Sequence, residues 1–250
     1  MTFAELTGIV RSLLIYRARP GRARRMRRFY AGFVGAGDLC VDVGAHVGDR
    51  IAAFRALGAR VVAVEPQPHL ARLLRRLHGS DPGVTILEVA LGSAPGEAEL
   101  RVNRRNPTLS SLSPAWLGTV AASPRFPGER WDGAVRVPLV TLDTLIAEYG
   151  LPAFAKIDVE GFEPEVLAGL SRPLPALSFE VLPEAADAAI ACVWRVAALG
   201  PYRFNISPGE SFAWGLRDWV GPADMAEWLR RMGQGMEAGE KGGDVYARLD

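Results

Sequence analysis

The sequence predicts an α/β fold: a parallel sheet covered by helices on both faces, preceded by an N-terminal helical cap and interrupted by an inserted β-hairpin and loop region. Three observations carry this. From residue 39 onward, short β-rich apolar runs alternate with segments of helical period. The first of these runs ends in a glycine-containing turn that opens a helix. The 250 residues, 49% of them hydrophobic, suffice for one core of this class without a disulfide or metal staple.

The elements follow in order. Residues 2 to 16 place Phe3, Leu6, Ile9, Val10, Leu13 and Leu14 on one helical face, a stripe that has to be buried somewhere. Pro20-Gly21 breaks that pattern. A second helix over 22–34 carries Arg22, Arg24, Arg25, Arg27 and Arg28 beside Met26, Phe29, Tyr30 and Phe33. These two helices make a cap over residues 1–35, ahead of one domain over 36–250. LCVDVG (39–44) is the first strand, and the helix after it, over 48–57, is closed by Gly58. RVVAVEP (60–66) is a strand, Pro68 to Leu77 a helix, and VTILEVAL (84–91) a third strand. GEAELRV (96–102) and AVRVPLV (134–140) then alternate like half-exposed strands. They flank a Ser-, Pro- and Arg-rich stretch (103–133), long enough to be functional. The helix TLDTLIAEYG, the strand AFAKIDVEG (153–161), the helix PEVLAGL, the strand PALSFEVL (175–182) and a helix over 184–199 restore the βα pattern. YRFNIS (202–207) and DVYARL (244–249) are the last strands, with a Trp-rich insertion between them.

Composition excludes several classes. The balance of 29 Lys+Arg against 28 Asp+Glu excludes a generally basic nucleic-acid binder and an acidic disordered chain. Two cysteines, Cys40 and Cys192, both in apolar runs, make neither a disulfide framework nor a zinc site. No apolar run reaches the ~18 residues of a membrane span, and no export signal is legible. The expectation is therefore a cytoplasmic protein with no nucleic-acid partner and no stable membrane insertion. The arginine cluster at 17–28 stays open between a solvated face, an anionic acceptor or membrane surface, and nucleic acid.

The segment VDVGAHVGD (41–49) follows a strand and opens a helix, where backbone N–H groups and the helix N-terminus receive a ligand. A dinucleotide site would read GxGxxG. Here Gly44 and Gly48 are four apart, with His46 where the second glycine would be, and its β-carbon obstructs a pyrophosphate. Asp42 puts a carboxylate beside the ligand, which suits an α-ammonium or sulfonium. Glu65 ends the next strand, where an acid accepts two ribose hydroxyls. The site is thus suited to a positively charged nucleoside without a pyrophosphate, and S-adenosylmethionine fits. Its expected contacts are Asp42, Gly44, Ala45, His46 and Gly48 at the methionine end, and Glu65 and Pro66 at the ribose. Glu88, Val89 and Ala90 lie where the adenine packs, and Asp158 is a further candidate for the ammonium.

At this point the sequence resembles the FkbM family of S-adenosylmethionine-dependent methyltransferases. The motifs are VDVGAHVGD, VEPQP (64–68), EVALG (88–92), LDTL (142–145), KIDVEGFEPEVLAG (156–169) and SFEV (178–181). The likeness covers residues 38–185 clearly and the rest weakly. It departs at His46, where this family usually has Asn. The resemblance implies a Rossmann-like, seven-stranded class I methyltransferase fold and methyl transfer to oxygen. Family members act on varied small molecules and sugars, so the implied acceptor is a small molecule or glycan.

In KIDVEG the strand period places Lys156, Asp158 and Glu160 on one face, at the C-terminal edge of the sheet. An alcohol acceptor needs a base in contact, and Asp158, Glu160 or His46 can serve. Glu163 and Glu165 fit a helix N-terminus. A metal held by Asp158, Glu160 and Glu180 is conceivable, but oxygen ligands alone are a weak signal, and no metal is expected. Two regions are candidates for the acceptor pocket. One is the 103–133 stretch, with Asn103, Arg104, Arg105, Asn106, Ser110, Ser111 and Trp116. The other is the 208–232 insertion, with Phe212, Trp214, Trp219 and Trp228. The rivals are a nicotinamide oxidoreductase on a related sheet and a non-catalytic nucleoside-binding adapter.

Overall fold

The computed structural model describes residues 3–17, 21–235 and 242–250. Pro20 and the side chains of Phe3 and Arg17, on which expectations fall, lie outside them. Two helices come first, α1 (Phe3–Arg17) and α2 (Arg22–Tyr30). The βα alternation then gives β1 (Leu39–Val43), α3 (Asp49–Arg55), β2 (Arg60–Val64), α4 (Pro68–His78) and β3 (Val84–Leu87). The inserted region holds β4 (Ala90–Leu91), β5 (Gly96–Val102), α5 (Pro114–Ala122) and β6 (Gly133–Val140). After it come α6 (Leu142–Tyr149), β7 (Phe154–Ile157), α7 (Glu163–Ala168), β8 (Ala176–Val181) and α8 (Ala186–Ala197). The described chain ends with β9 (Tyr202–Pro208), α9 (Pro222–Gly233) and β10 (Gly243–Leu249).

Seven strands form one sheet in the order β3-β2-β1-β7-β8-β10-β9, in which β10 alone runs antiparallel to its neighbours. Every residue of β1 is buried, as a central strand covered on both faces requires. One face carries Val41, Val43, Ile157 and Phe179 under α6 to α9, and the other carries Cys40, Phe154 and Tyr246 under α2 and α3. On the second face Met26 and Tyr30 of α2 sit fully inside the core, with Tyr30 edge-on to Phe54 and Phe154. The second helix is therefore part of this hydrophobic core. The chain leaves β1 toward β2 and returns to β7 on its other side, which makes the C-terminal ends of β1 and β7 the crevice of the sheet.

Three expectations are corrected. The run VTILEVAL is not one strand. It breaks after Leu87, and Ala90–Leu91 pair with β6 in a separate three-stranded sheet, β4-β6-β5. The strand expected over 153–161 stops at Ile157, and Glu160 takes a left-handed φ of 55° that no strand period contains. The stripe of α1 is buried only in part: Ile9 and Leu13 pack on Val47, Leu70 and Leu73, whereas Leu6, Val10 and Leu14 face solvent.

Candidate active site

The site starts from two turns that cross. Gly44 follows β1 with φ 83°, and a Cβ there would collide with the carbonyl oxygen of Asp158, so only glycine lets the two turns touch. The backbone N–H of Asp158 donates to Val43 O at 3.0 Å, and those of Gly44 and Ala45 donate to Val64 O at 2.9 and 3.0 Å. His46 also has positive φ, 49°, a region that Asn and His tolerate better than most residues. The turn thus accommodates His46 where the resembled motif has Asn.

Glu65, at the end of β2, is buried and ties this turn down. Its Oε2 accepts the His46 N–H at 2.9 Å and its Oε1 the Gln67 N–H at 2.9 Å. Burial pushes its pKa up to about 7, with the two N–H groups pulling the other way. Asp42 is likewise pushed up to about 7, by burial against the pull of Arg50. Its Oδ2 is buried and has no hydrogen-bond partner among the described residues. His46 Nε2 is also buried and unpartnered. Burial lowers the His46 pKa to about 4, so the ring is neutral at neutral pH. The Tyr16 ring of α1 stands edge-on to it at 5.4 Å.

On the β7 side, the buried Lys156 donates to Asp158 Oδ2 at 3.0 Å and to Asp244 Oδ1 of β10 at 2.9 Å. Burial alone would raise the Asp158 pKa, but the Lys156 ammonium and the Arg50 guanidinium together outweigh it and hold the group below the usual carboxylate range. Glu160 is fixed by its backbone, since Ser111 Oγ donates to its carbonyl at 2.6 Å. Glu163 Oε1 accepts the Val159 and Gly161 N–H groups at 2.9 and 3.3 Å, which shapes the turn. Carboxylate oxygens of Asp158, Glu160 and Glu180 lie within 4.8 Å of one another. Burial, and then repulsion from neighbouring carboxylates, pushes Glu160 and Glu180 well above the ordinary range.

One cleft of about 990 Å³, mouth included, takes in Asp42, Gly44, Ala45, His46, Glu65, Pro66, Ala90, Asp158 and Glu160. The expected residues from four separate segments thus meet at one place. Gly48 turns the other way, toward Leu74 and His78 of α4, and serves the turn rather than the wall. Glu88 and Val89 are corrected, because the break after Leu87 removes both from the cleft. Glu88 takes a surface ion pair from Arg75 at 2.6 Å, Val89 packs on the core, and Leu91 and Leu100 join Ala90 at the wall.

A second cavity, lined by Arg11, Ser12, Asn106 and Phe126, shares Tyr16, Thr108, Glu160 and Glu180 with the cleft. Of the 103–133 stretch, Pro107, Thr108, Ser110 and Leu112 reach the cleft. Asn103 and Arg104 instead bind Glu129 and Asp132 within that stretch. Trp116 is buried. The Trp-rich insertion sends only Glu210 to the cleft, while Phe212, Trp214 and Trp219 pack about Phe29 and Phe33.

Sequence reasoning missed the groups joined over long range. Arg22 donates to Asp49 Oδ2 at 2.6 Å and to Glu210. Arg50 donates to Glu210 Oε1 at 2.8 Å. Arg22 also donates to the Tyr16 carbonyl at 2.9 Å, which ties α1 to the cleft. Only the adjacent Asp49-Arg50 pair was a visible signal; the partners 27 and 188 residues away from Arg22 were not.

The cleft suits a cationic nucleoside. Asp42 offers a buried oxygen with nothing to pair with, and Glu65 keeps spare lone pairs beside its two N–H donors. No curated protein matches the sequence significantly. Among solved structures, an O-methyltransferase from Bacillus cereus in complex with S-adenosylhomocysteine aligns at 12% identity, over 100% of this chain and 92% of that one, with a TM-score of 0.47. A precorrin-6Y C5,15-methyltransferase from Geobacter metallireducens GS-15 aligns at 11% identity, over 92% and 87%, with a TM-score of 0.45. An rRNA methylase from Streptococcus thermophilus aligns at 11% identity, over 90% and 94%, with a TM-score of 0.43. Likenesses at that level carry no inference about substrate. The family described as the methyltransferase FkbM domain matches residues 42–234. That span contains the crossing turns, Glu65 and the carboxylate trio, and the chain is therefore a member of the FkbM family of S-adenosylmethionine-dependent methyltransferases.

Proposed function

We propose that this methyltransferase acts on a hydroxyl oxygen of a small molecule or glycan. The observation that carries the reading is the place of Glu160 and Glu180, on the wall shared by the cofactor cleft and the second cavity. Oxygen methylation needs an in-line approach and a proton acceptor, and a carboxylate of raised pKa at that boundary supplies the second. When bound, S-adenosylmethionine supplies an electrophilic methyl group on a sulfonium.

The residues divide the work. Asp42, with the turn of Gly44, Ala45, His46 and Gly48, holds the methionine end. Glu65 and Pro66 hold the ribose, and Ala90 with Leu91 packs on the adenine. Asp158, kept charged by Lys156, orients the acceptor or the ammonium. Glu160 accepts the hydroxyl proton. Burial first, and neighbouring carboxylates next, raise both Glu160 and Glu180, so the pair holds a proton between them and the member left ionised accepts the proton of the hydroxyl. His46, neutral with a free Nε2, is the reserve base. The acceptor enters through the second cavity, between α1 and the stretch around Asn106.

A screen of hydroxylated metabolites and sugars with methyl-labelled cofactor tests this. The label is expected in a methyl ether. Glu160→Gln is expected to slow single turnover by about 10²–10⁴ with S-adenosylhomocysteine affinity unchanged. Label on nitrogen or carbon, or full turnover by Glu160→Gln, refutes the reading.

A further inference from the structure

The N-terminal segment carries a charge bias of which the cleft uses only Arg22 and the second cavity only Arg11. Residues 6–37 contain eight arginines and no acidic residue, whereas the chain totals 29 cations and 28 acids. The remainder is thus left with 21 cations against 28 acids, a net of −7. Arg22 is consumed in the ion pairs beside the cleft. Arg11, Arg24, Arg25, Arg27 and Arg28 are exposed and make no ion pair among the described residues.

A second, independent feature lies on α1. One side of this helix packs on the turn after β1 through Ile9 and Leu13. Its other side is apolar as well. Leu6, Val10 and Leu14, spaced by four residues, form one ridge and are 44%, 48% and 61% exposed, and Ile15 is 36% exposed. A helix apolar on both sides belongs in a core or at a bilayer, and no described residue covers this ridge. Beside α2, Arg25, Arg28 and Arg248 rim a surface depression floored by Phe29, Phe33, Trp214 and Trp219. Arginine stems and tryptophan rings both settle at headgroup level.

From these features we infer that α1 and α2 dock the protein on an anionic lipid surface. The Leu6–Val10–Leu14 ridge enters the acyl boundary and the arginines meet the headgroup phosphates. Cations without the ridge would serve RNA equally well, and the ridge without the cations would serve a second copy of the chain. The two together fit an anionic bilayer. The attachment is peripheral, because no described helix is long and apolar enough to cross a membrane.

Co-sedimentation of the full chain with phosphatidylcholine vesicles, with and without phosphatidylglycerol, tests the inference. The protein is expected to pellet with the anionic vesicles only. Leu14→Glu and the double variant Arg24→Glu, Arg27→Glu are each expected to weaken that binding by about tenfold or more. S-adenosylhomocysteine affinity and melting temperature should stay at wild-type values in all variants, which separates lost docking from lost folding. Wild-type protein that stays in the supernatant overturns the inference. So does vesicle binding that Leu14→Glu leaves intact, or tighter binding to single-stranded RNA than to vesicles. A wild-type dimer in light scattering that Leu14→Glu converts to monomer overturns it too, since a second copy then covers the ridge. None of these outcomes depends on methyl transfer, so the activity assay fails or succeeds separately.

Discussion

Asp42 makes cofactor binding pH-dependent with a definite sign. Its carboxyl is pushed up to about 7 by burial, against the pull of Arg50 and Lys156, and its Oδ2 has no hydrogen-bond partner among the described residues. The α-ammonium of S-adenosylhomocysteine favours the carboxylate, so binding has to expel the proton wherever Asp42 holds one. At pH 6, one unit below that value, only about one Asp42 in eleven is ionised, and affinity should be about tenfold weaker than at pH 8, or about 1.4 kcal/mol. Glu65 has a pKa of about 7 as well, and ribose hydroxyls donate to its carboxylate, so it adds a dependence of the same sign. Calorimetry at pH 6, 7 and 8, in two buffers of different ionisation heat, measures both the affinity and the protons released. Wild type should bind more tightly as pH rises and release protons near neutrality. Asp42→Asn should bind weakly at pH 8 and lose about half the slope, and Asp42→Asn with Glu65→Gln should lose the rest. Affinity that is flat across this range, or that rises toward acid, refutes the assignment of Asp42 to the ligand's cation.

The same acids affect the cofactor-free protein. Folded pKa values of about 7 for Asp42, Glu65 and Glu163 lie above the unfolded ones, so their stabilising contribution is full below the unfolded values and is lost as pH rises through 7. The melting temperature without ligand should accordingly fall between pH 5 and pH 8, and Asp42→Asn should flatten that fall; scanning calorimetry checks it. Gly44→Ala should cost at least about 1–3 kcal/mol for the left-handed φ alone, before the clash with Asp158, and urea titration measures the loss. Deleting residues 1–34 removes Met26 and Tyr30 from the core and bares Phe54 and Phe154, so the truncated protein should be insoluble or lose its cooperative melt. A truncated protein with full stability would show that the segment is an appendage.

The turn after β1 was legible because its chemistry is local. Asp42 lies on one of two adjacent parallel strands and Gly44 and Glu65 directly follow them, and strand–turn–helix rules place all three without any knowledge of the rest. The carboxylate trio was half legible. Asp158 follows the strand period to its last step, but Glu160 reaches the cleft only because the backbone turns left-handed there, and no periodicity encodes a positive φ. Glu88 failed for a different reason. An unbroken β-rich run hid the point at which the chain leaves one sheet for another. Asp244 and Glu210 were invisible, since topology alone brings them 88 residues to Lys156 and 188 to Arg22. The exposure of Leu6, Val10 and Leu14 was misread because a stripe of apolar side chains gives no sign of which half meets the protein.

The antiparallel β10 is made after β9 but lies between β8 and β9. During synthesis, a chain emerged only as far as residue 242 therefore has β8 with an unpaired edge and β9 with no partner in the sheet. Lys156 then has lost one of its two counter-ions. Such a chain already holds Asp42, Gly44 and Glu65, so the cofactor half of the site can assemble while the sheet still offers an open strand to other nascent chains. Premature stops between β9 and β10 should then be harmful beyond lost activity. They would leave a product that recognises the cofactor yet is recruited into aggregates or cleared by proteases, a burden that a clean deletion of the whole gene does not impose.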